Sequence, residues 1–244
     1  MFYGYGILNN HVPTLRAAMK GGANPLNSSL YAVYKAESNP NDSKGTNNGS
    51  AVGGLTYTTG KSGNAFLFNG TNAYVQLPNN SMNFTGDFSI SLWTYFTSLN
   101  TEQVPFSNFY ELAPSAGSSR GYMMYIDSAT FYWFICGSSQ VGVSYSISTF
   151  LNTWKMITVT FKSGVGSKVY FDNVEVTTTS SAVTPLYNTT HSPTIGCYKY
   201  GNSIIQGLIK NNSKVDEVNA WNRVLTPTEI TELYNAGTGK FYPY

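Results

Sequence analysis

Short stretches in which apolar and polar residues alternate, each closed by Gly, Asn, Ser or Pro, run through most of this chain of 244 residues. A period of two puts successive side chains on opposite faces of an extended backbone, so these stretches are half-buried strands and not helices. The pattern is densest over residues 31–49, 60–78, 84–96, 153–176 and 215–237. Phe88, Ile90 and Leu92 share one face, with Trp93 and Tyr95 on the other. Residues 156–161 alternate in the same way, a turn follows at 162–167, and residues 168–173 return as a strand. The Asp172-Asn173 pair makes a tight turn before Val174 and Val176, and residues 204–209 and 214–221 supply late strands. Residues 65–68 and 73–77 read as a hairpin, because Asn69-Gly70-Thr71-Asn72 accepts positive φ. Many short strands between turn signals predict an all-β, two-sheet antiparallel sandwich, and such a sandwich often reaches this length as one domain.

One helix is expected. Thr226 stands at its N-cap, Pro227 at the first helical position and Glu229 three residues after the cap. Ile230, Leu233 and Tyr234 give it an apolar face, and Gly237 is expected at the left-handed position that closes it. Residues 29–244 therefore read as one sandwich domain. Residues 1–28 differ: Gly4, Gly6, Asn9, Asn10 and Pro13 precede a short helical stretch, and residues 25–29 look like a linker. This segment is an arm that docks on a partner, a strand and turn folded back over the sandwich, or a frayed terminus.

Charge removes several functional classes. Only 11% of residues are charged and the net charge is +2, so there is no basic field to hold nucleic acid. No run of about 18 apolar residues is present to cross a membrane as a helix, and residues 1–19 lack the basic and apolar regions of a secretory leader. Cys136 and Cys197 lie in strand-like runs, as buried thiols or as a disulfide if the two strands are neighbours.

Catalysis finds little support. His11 and His191 are solitary, and no Gly-x-Ser-x-Gly elbow occurs. Asp172 and Glu175 straddle a turn, while Asp216 and Glu217 are adjacent and are expected on opposite faces of a strand. A binding role fits better. Aromatics make up 15% of the chain, with 19 tyrosines, and a tyrosine ring offers a sugar both a flat apolar face and a polar tip. Tyr122, Tyr125, Tyr132, Trp133 and Tyr145 crowd residues 121–147, with Asn108 and Arg120 as nearby hydrogen-bonding groups. Alternation splits these rings between two faces, so some belong to the core.

The ordered motifs resemble the laminin-G-like, concanavalin A-like lectin jelly rolls. They are Tyr34-Lys35-Ala36-Glu37 with Asp42-Ser43-Lys44-Gly45, residues 60–71, residues 84–93, Trp154–Thr160, residues 169–173, Val215-Asp216-Glu217-Val218 and residues 222–230. The resemblance covers about residues 30–237 and implies a jelly roll with Trp93, Trp154 and Trp221 in packing roles. It also implies a structural Ca2+ between Asp42 and Asp216, although Asn and Gly replace further carboxylates here and Lys44 brings a competing charge. An Asx-turn at Asp42 and an ordinary hydrogen bond at Asp216 are the alternatives. Sandwich glucanases of this superfamily carry a Glu-x-Asp-x-Glu pattern that none of the 12 carboxylates here reproduces. The expected protein is thus a non-catalytic one, a decoration, head or tail protein on the surface of a bacteriophage virion that touches host polysaccharide. Residues 1–28 would contact other virion proteins or build a homo-oligomer. A cellular or extracellular carbohydrate-binding or adhesion module is the alternative.

Overall fold

The computed structural model describes residues 24–111, 119–180, 183–201 and 204–244. Along the chain the strands are β1 (Leu30–Tyr34), β2 (Ser50–Val52), β3 (Thr56–Thr59), β4 (Asn64–Leu67), β5 (Tyr74–Gln76), β6 (Phe88–Tyr95), β7 (Gln103–Glu111), β8 (Ser119–Asp127) and β9 (Thr130–Cys136). They continue with β10 (Gln140–Ser146), β11 (Trp154–Lys162), β12 (Gly166–Phe171), β13 (Val174–Thr179), β14 (Thr194–Ile195), β15 (Tyr198–Tyr200), β16 (Ile204–Gln206) and β17 (Lys214–Trp221). The back sheet has the order β13-β12-β11-β6-β17-β4-β3, with β1 beside β17. The front sheet has the order β10-β9-β8-β7-β14-β5-β2, with β15 and β16 attached at β7. Neighbours are antiparallel except β15 against β7.

Alternation in the long strands builds the core. Phe88, Ile90 and Leu92 of β6 meet Tyr122, Met124, Phe131 and Trp133 of the front sheet, all buried. Phe88 stacks on Tyr122 at 4.8 Å between ring centroids, and Trp133 lies 5.6 Å from Tyr122. The Trp133 indole N–H donates across the sandwich to the Ser167 hydroxyl, 2.9 Å away on β12. A second apolar cluster covers the outer face of the back sheet. There Val33, Trp93, Met156 and Trp221 receive Leu225, Ile230 and Leu233 from the helix region.

The helix, α1 (Pro227–Tyr234), forms with its capping box intact: the Thr226 hydroxyl accepts from the Glu229 N–H and the Glu229 carboxylate from the Thr226 N–H. It closes earlier than Gly237. Asn235 takes the left-handed position at φ 46°, since a short polar side chain tolerates that conformation.

Two expectations are corrected. Residues 65–68 and 73–77 do not form a hairpin: β4 pairs with β3 and β17 in the back sheet, and β5 with β2 and β14 in the front sheet. The Asn69 side chain accepts the N–H groups of Thr71, Asn72 and Ala73, so this turn carries the chain from one sheet to the other. Residues 25–29 are not a linker either. Leu26 is fully buried, its carbonyl accepts the Trp221 indole N–H, and Arg223 ties the carbonyls of Pro25 and Ser28 to Glu229. The sandwich begins by Asn24; the rest of the expected arm, residues 1–23, lies outside the described residues.

Candidate functional site: an aromatic sheet face

Three consecutive antiparallel strands, β8, β9 and β10, set the outer surface of the front sheet. Their inward residues fill the core, so residues 123, 125, 132, 134 and 136 must face outward. Cross-strand register then places Tyr125 beside Tyr132 and Met123 beside Phe134. The Tyr132 and Phe134 rings lie parallel, 6° apart with centroids 5.7 Å from one another. Tyr125 closes the group at 5.8 Å from Tyr132 and 6.1 Å from Phe134. All three residues are half-buried, so part of the group is open to solvent.

The floor beneath and beside them is apolar, made by Met123, Phe109 and Cys136, with Tyr198 edge-on to Phe109. Next to Phe134 the neighbouring strand carries Gly142, where an added Cβ would come within 2.6 Å of the Phe134 ring. The missing side chain is what lets that ring lie over β10. Exposed Gln140 and Ser144 flank it on the same strand. At the other margin the Tyr125 hydroxyl donates to Glu102 at 2.7 Å and the Tyr198 hydroxyl to Gln206 at 2.7 Å. Burial and then the Glu102 carboxylate raise the Tyr125 hydroxyl above the usual phenol range, so it stays a donor at physiological pH. The result is an aromatic platform edged by amide, carboxylate and hydroxyl groups.

The residues expected to bind sugar therefore separate. Tyr125 and Tyr132 come together on the platform. Tyr122 and Asn108 pair across β8 and β7 on the core side, where both bond the Met82 carbonyl. Trp133 is core. Tyr145 packs on Phe171 at the open edge of the sandwich, and Arg120 stands at the end of β8 opposite Tyr110, two residues from inward Tyr122. Phe134 was legible, since it shares Tyr132's parity. Phe109 and Tyr198 were not, because only the parallel contact of β15 with β7 unites them.

The expected metal ligands behave otherwise. Asp42 accepts the N–H groups of Val33, Lys44 and Asn47, and Asp216 those of Lys61, Ser62 and Glu217. A calcium ion needs about six to eight oxygen ligands, whereas these carboxylates are turned toward N–H donors. Among the described residues no group of three or more His, Cys, Asp or Glu is placed to hold a metal. The donor set here fits anchored turns and does not fit a cation.

Asp216 and Glu217 also break the expected alternation. The β17 register shifts between Asp216 and Asn219, and Glu217 sits at φ 48°, a bulge that buries both carboxyl groups. Burial raises Asp216 to about 7; burial and the neighbouring Asp216 raise Glu217 to about 8. Among the described residues neither Glu217 carboxyl oxygen has a hydrogen-bond partner, and the buried Tyr244 hydroxyl, close enough to feel its charge, has none either.

The two-sheet sandwich and this aromatic face place the protein among lectin-like β-sandwiches. Residues 69–231 match the concanavalin A-like lectin/glucanases superfamily, and the chain belongs to that family. Similar solved structures include the binding domain of Paraclostridial Mosquitocidal Protein 1, with a TM-score of 0.69 and 17% identity over 86% of this chain and 52% of that one. The receptor-binding domain of botulinum neurotoxin C/D mosaic serotype follows, with a TM-score of 0.67 and 14% identity over 85% and 51%. Domain 4 of AbnA, a GH43 extracellular arabinanase from Geobacillus stearothermophilus, was solved with arabinotriose. It has a TM-score of 0.64 and 19% identity over 84% of this chain and 98% of that one. The chain thus spans about half the length of the toxin domains and nearly all of the arabinanase domain. No curated protein sequence matches it.

Proposed function

We propose that this chain is a non-catalytic, lectin-like domain that holds an uncharged oligosaccharide on the platform of Tyr125, Tyr132 and Phe134. The parallel, half-open Tyr132 and Phe134 rings carry this reading: a sugar ring covers such a surface with its apolar C–H face while its hydroxyls reach the polar margin. The complex of the arabinanase domain with a neutral trisaccharide supports it. Affinity electrophoresis against arabinan, xylan, β-glucan and a bacterial cell-wall polysaccharide tests it. One of these polymers should retard the native chain, and Tyr132→Ala should weaken retardation at least tenfold, about 1.4 kcal/mol, with an unchanged melting temperature. Equal retardation of native and variant protein, or none with any polymer, would overturn the reading.

The finer assignment is display on a bacteriophage particle, with residues 1–23 as the attachment segment and host-surface polysaccharide as the target. It rests on the low charge, the Asn, Thr, Gly and Tyr richness, and an N-terminal segment distinct from the sandwich. Light scattering on the full chain and on a chain starting at Asn24, which retains Leu26, checks it. A defined oligomer that becomes a folded monomer on truncation is the expected outcome. A monomer in both cases would count against assembly through this segment.

A further inference from the structure

A second polar recess lies away from the platform, where the segment between β5 and β6 passes beside Tyr31 of β1. It is a pocket of about 420 Å3, within the size range of small-ligand sites. Its wall is rigid. The Met82 carbonyl accepts from the Tyr122 hydroxyl at 2.8 Å and the Asn108 amide at 3.0 Å, while the Met82 N–H donates to the Tyr31 hydroxyl at 3.3 Å. Asn80 and Met82 both sit at φ 61°, a conformation that non-glycine residues keep only where surrounding contacts hold it. The Phe84 ring, edge-on to Tyr31 at 5.2 Å and stacked on Phe88 at 5.1 Å, forms the apolar part of the wall.

Asn83 is committed, its side-chain carbonyl accepting from Asn108 and its amide donating to the Asn80 carbonyl, but several other polar groups of the recess are not. The Asn80 amide nitrogen, the Thr85 hydroxyl, the Asn222 side-chain amide and the second Asp87 oxygen make no hydrogen bond among the described residues; the first Asp87 oxygen takes the Ser163 N–H at 2.9 Å. Amides, a hydroxyl and a carboxylate offer donors and acceptors together, which matches adjacent sugar hydroxyls, each a donor and an acceptor at once. The lining contains one carboxylate and no Lys or Arg, so it repels sialylated or sulfated sugars. The anchored backbone behind the recess lowers part of the ordering cost of binding.

We infer that this recess is a second saccharide site, taking a single uncharged sugar residue, on a surface separate from the platform. It rests on the glycan-binding reading but has its own readout. The test follows the side-chain amide resonances of Asn80, Asn83 and Asn222 by NMR during titration with methyl glycosides of glucose, galactose, N-acetylglucosamine and arabinose, and with sialyllactose. One neutral glycoside should shift these amides, the double variant Thr85→Ala/Asn222→Ala should weaken that response at least tenfold, and Tyr132→Ala should leave it intact. Both replaced side chains are exposed and carry no internal hydrogen bond, so the fold should survive them. No shift with any neutral glycoside, an unchanged response in the double variant, or equal binding of sialyllactose would overturn the site. A silent recess beside normal polymer retardation removes this site alone, and a responsive recess without retardation removes the platform alone.

Discussion

Replacing Trp133 by alanine is expected to lower the unfolding free energy by about 4 kcal/mol, within the usual range for a buried tryptophan. The indole is fully buried among Phe88, Tyr122 and neighbouring apolar side chains, and it is a polar link between the two sheets through Ser167. Truncation removes apolar contact, leaves a cavity in a close-packed core, and strands the Ser167 hydroxyl, which is itself buried. Trp133→Phe keeps most of the volume and loses only the link, so it should cost about 1–2 kcal/mol. Urea denaturation with an unchanged slope measures both. A loss below about 1.5 kcal/mol for the alanine variant would mean that the front and back sheets repack around the gap.

Stability should also fall as the solution becomes alkaline, and Glu217 should be the main cause. Its folded value is raised from 4.5 to about 8, and that of Asp216 from 3.8 to about 7. A carboxyl with a raised folded pKa is bound to its proton more tightly in the native state. Its favourable contribution is complete below the unfolded value and disappears as pH climbs through the folded one. Each tenfold gain in proton affinity on folding is worth about 1.4 kcal/mol, so between about pH 5 and 9 the native chain should lose a few kcal/mol. His191 acts in the opposite sense. Burial, aided by Lys199, lowers it from 6.5 to about 4, so its contribution is present above 6.5 and is lost as pH falls toward 4. The two effects place the optimum in mildly acidic solution. Glu217→Gln should make the alkaline limb shallower in thermal melts, leaving the part that Asp216 supplies, and should leave the acid limb unchanged. A native chain as stable at pH 9 as at pH 6 would show that the Glu217 carboxyl is solvated.

Local rules made much of this legible. The β6 and β11 strands follow from alternation, and α1 from its capping box, because neighbouring residues alone determine both. The turn at Asn69 is ambiguous in the sequence because its side chain satisfies the same N–H groups in a hairpin and in a crossing between sheets; only the partners of β4 and β5 separate the two. At the candidate site, parity gave Tyr132 and Tyr125 but could not say which face of β8 and β9 was the inner one, so Tyr122 and Asn108 were placed with them. Their actual task is to pin Met82. The Asp216-Glu217 bulge left no local mark at all, since it arises where β17, paired with β4 before it and with β1 after it, shifts register against β6.

The docking of Asn24–Ser28 beside the C-terminal tail has a consequence for how the domain is mounted. Asn24 bonds Glu232 on α1, and the Asn27 side chain bonds the Tyr244 carbonyl. Residues 24 and 244 therefore lie on the same side, at the outer surface of the back sheet, opposite the aromatic platform. Under the glycan-binding reading proposed above, copies joined to a scaffold at either end would keep their platforms uncovered, and weak contacts with a repetitive polysaccharide would multiply.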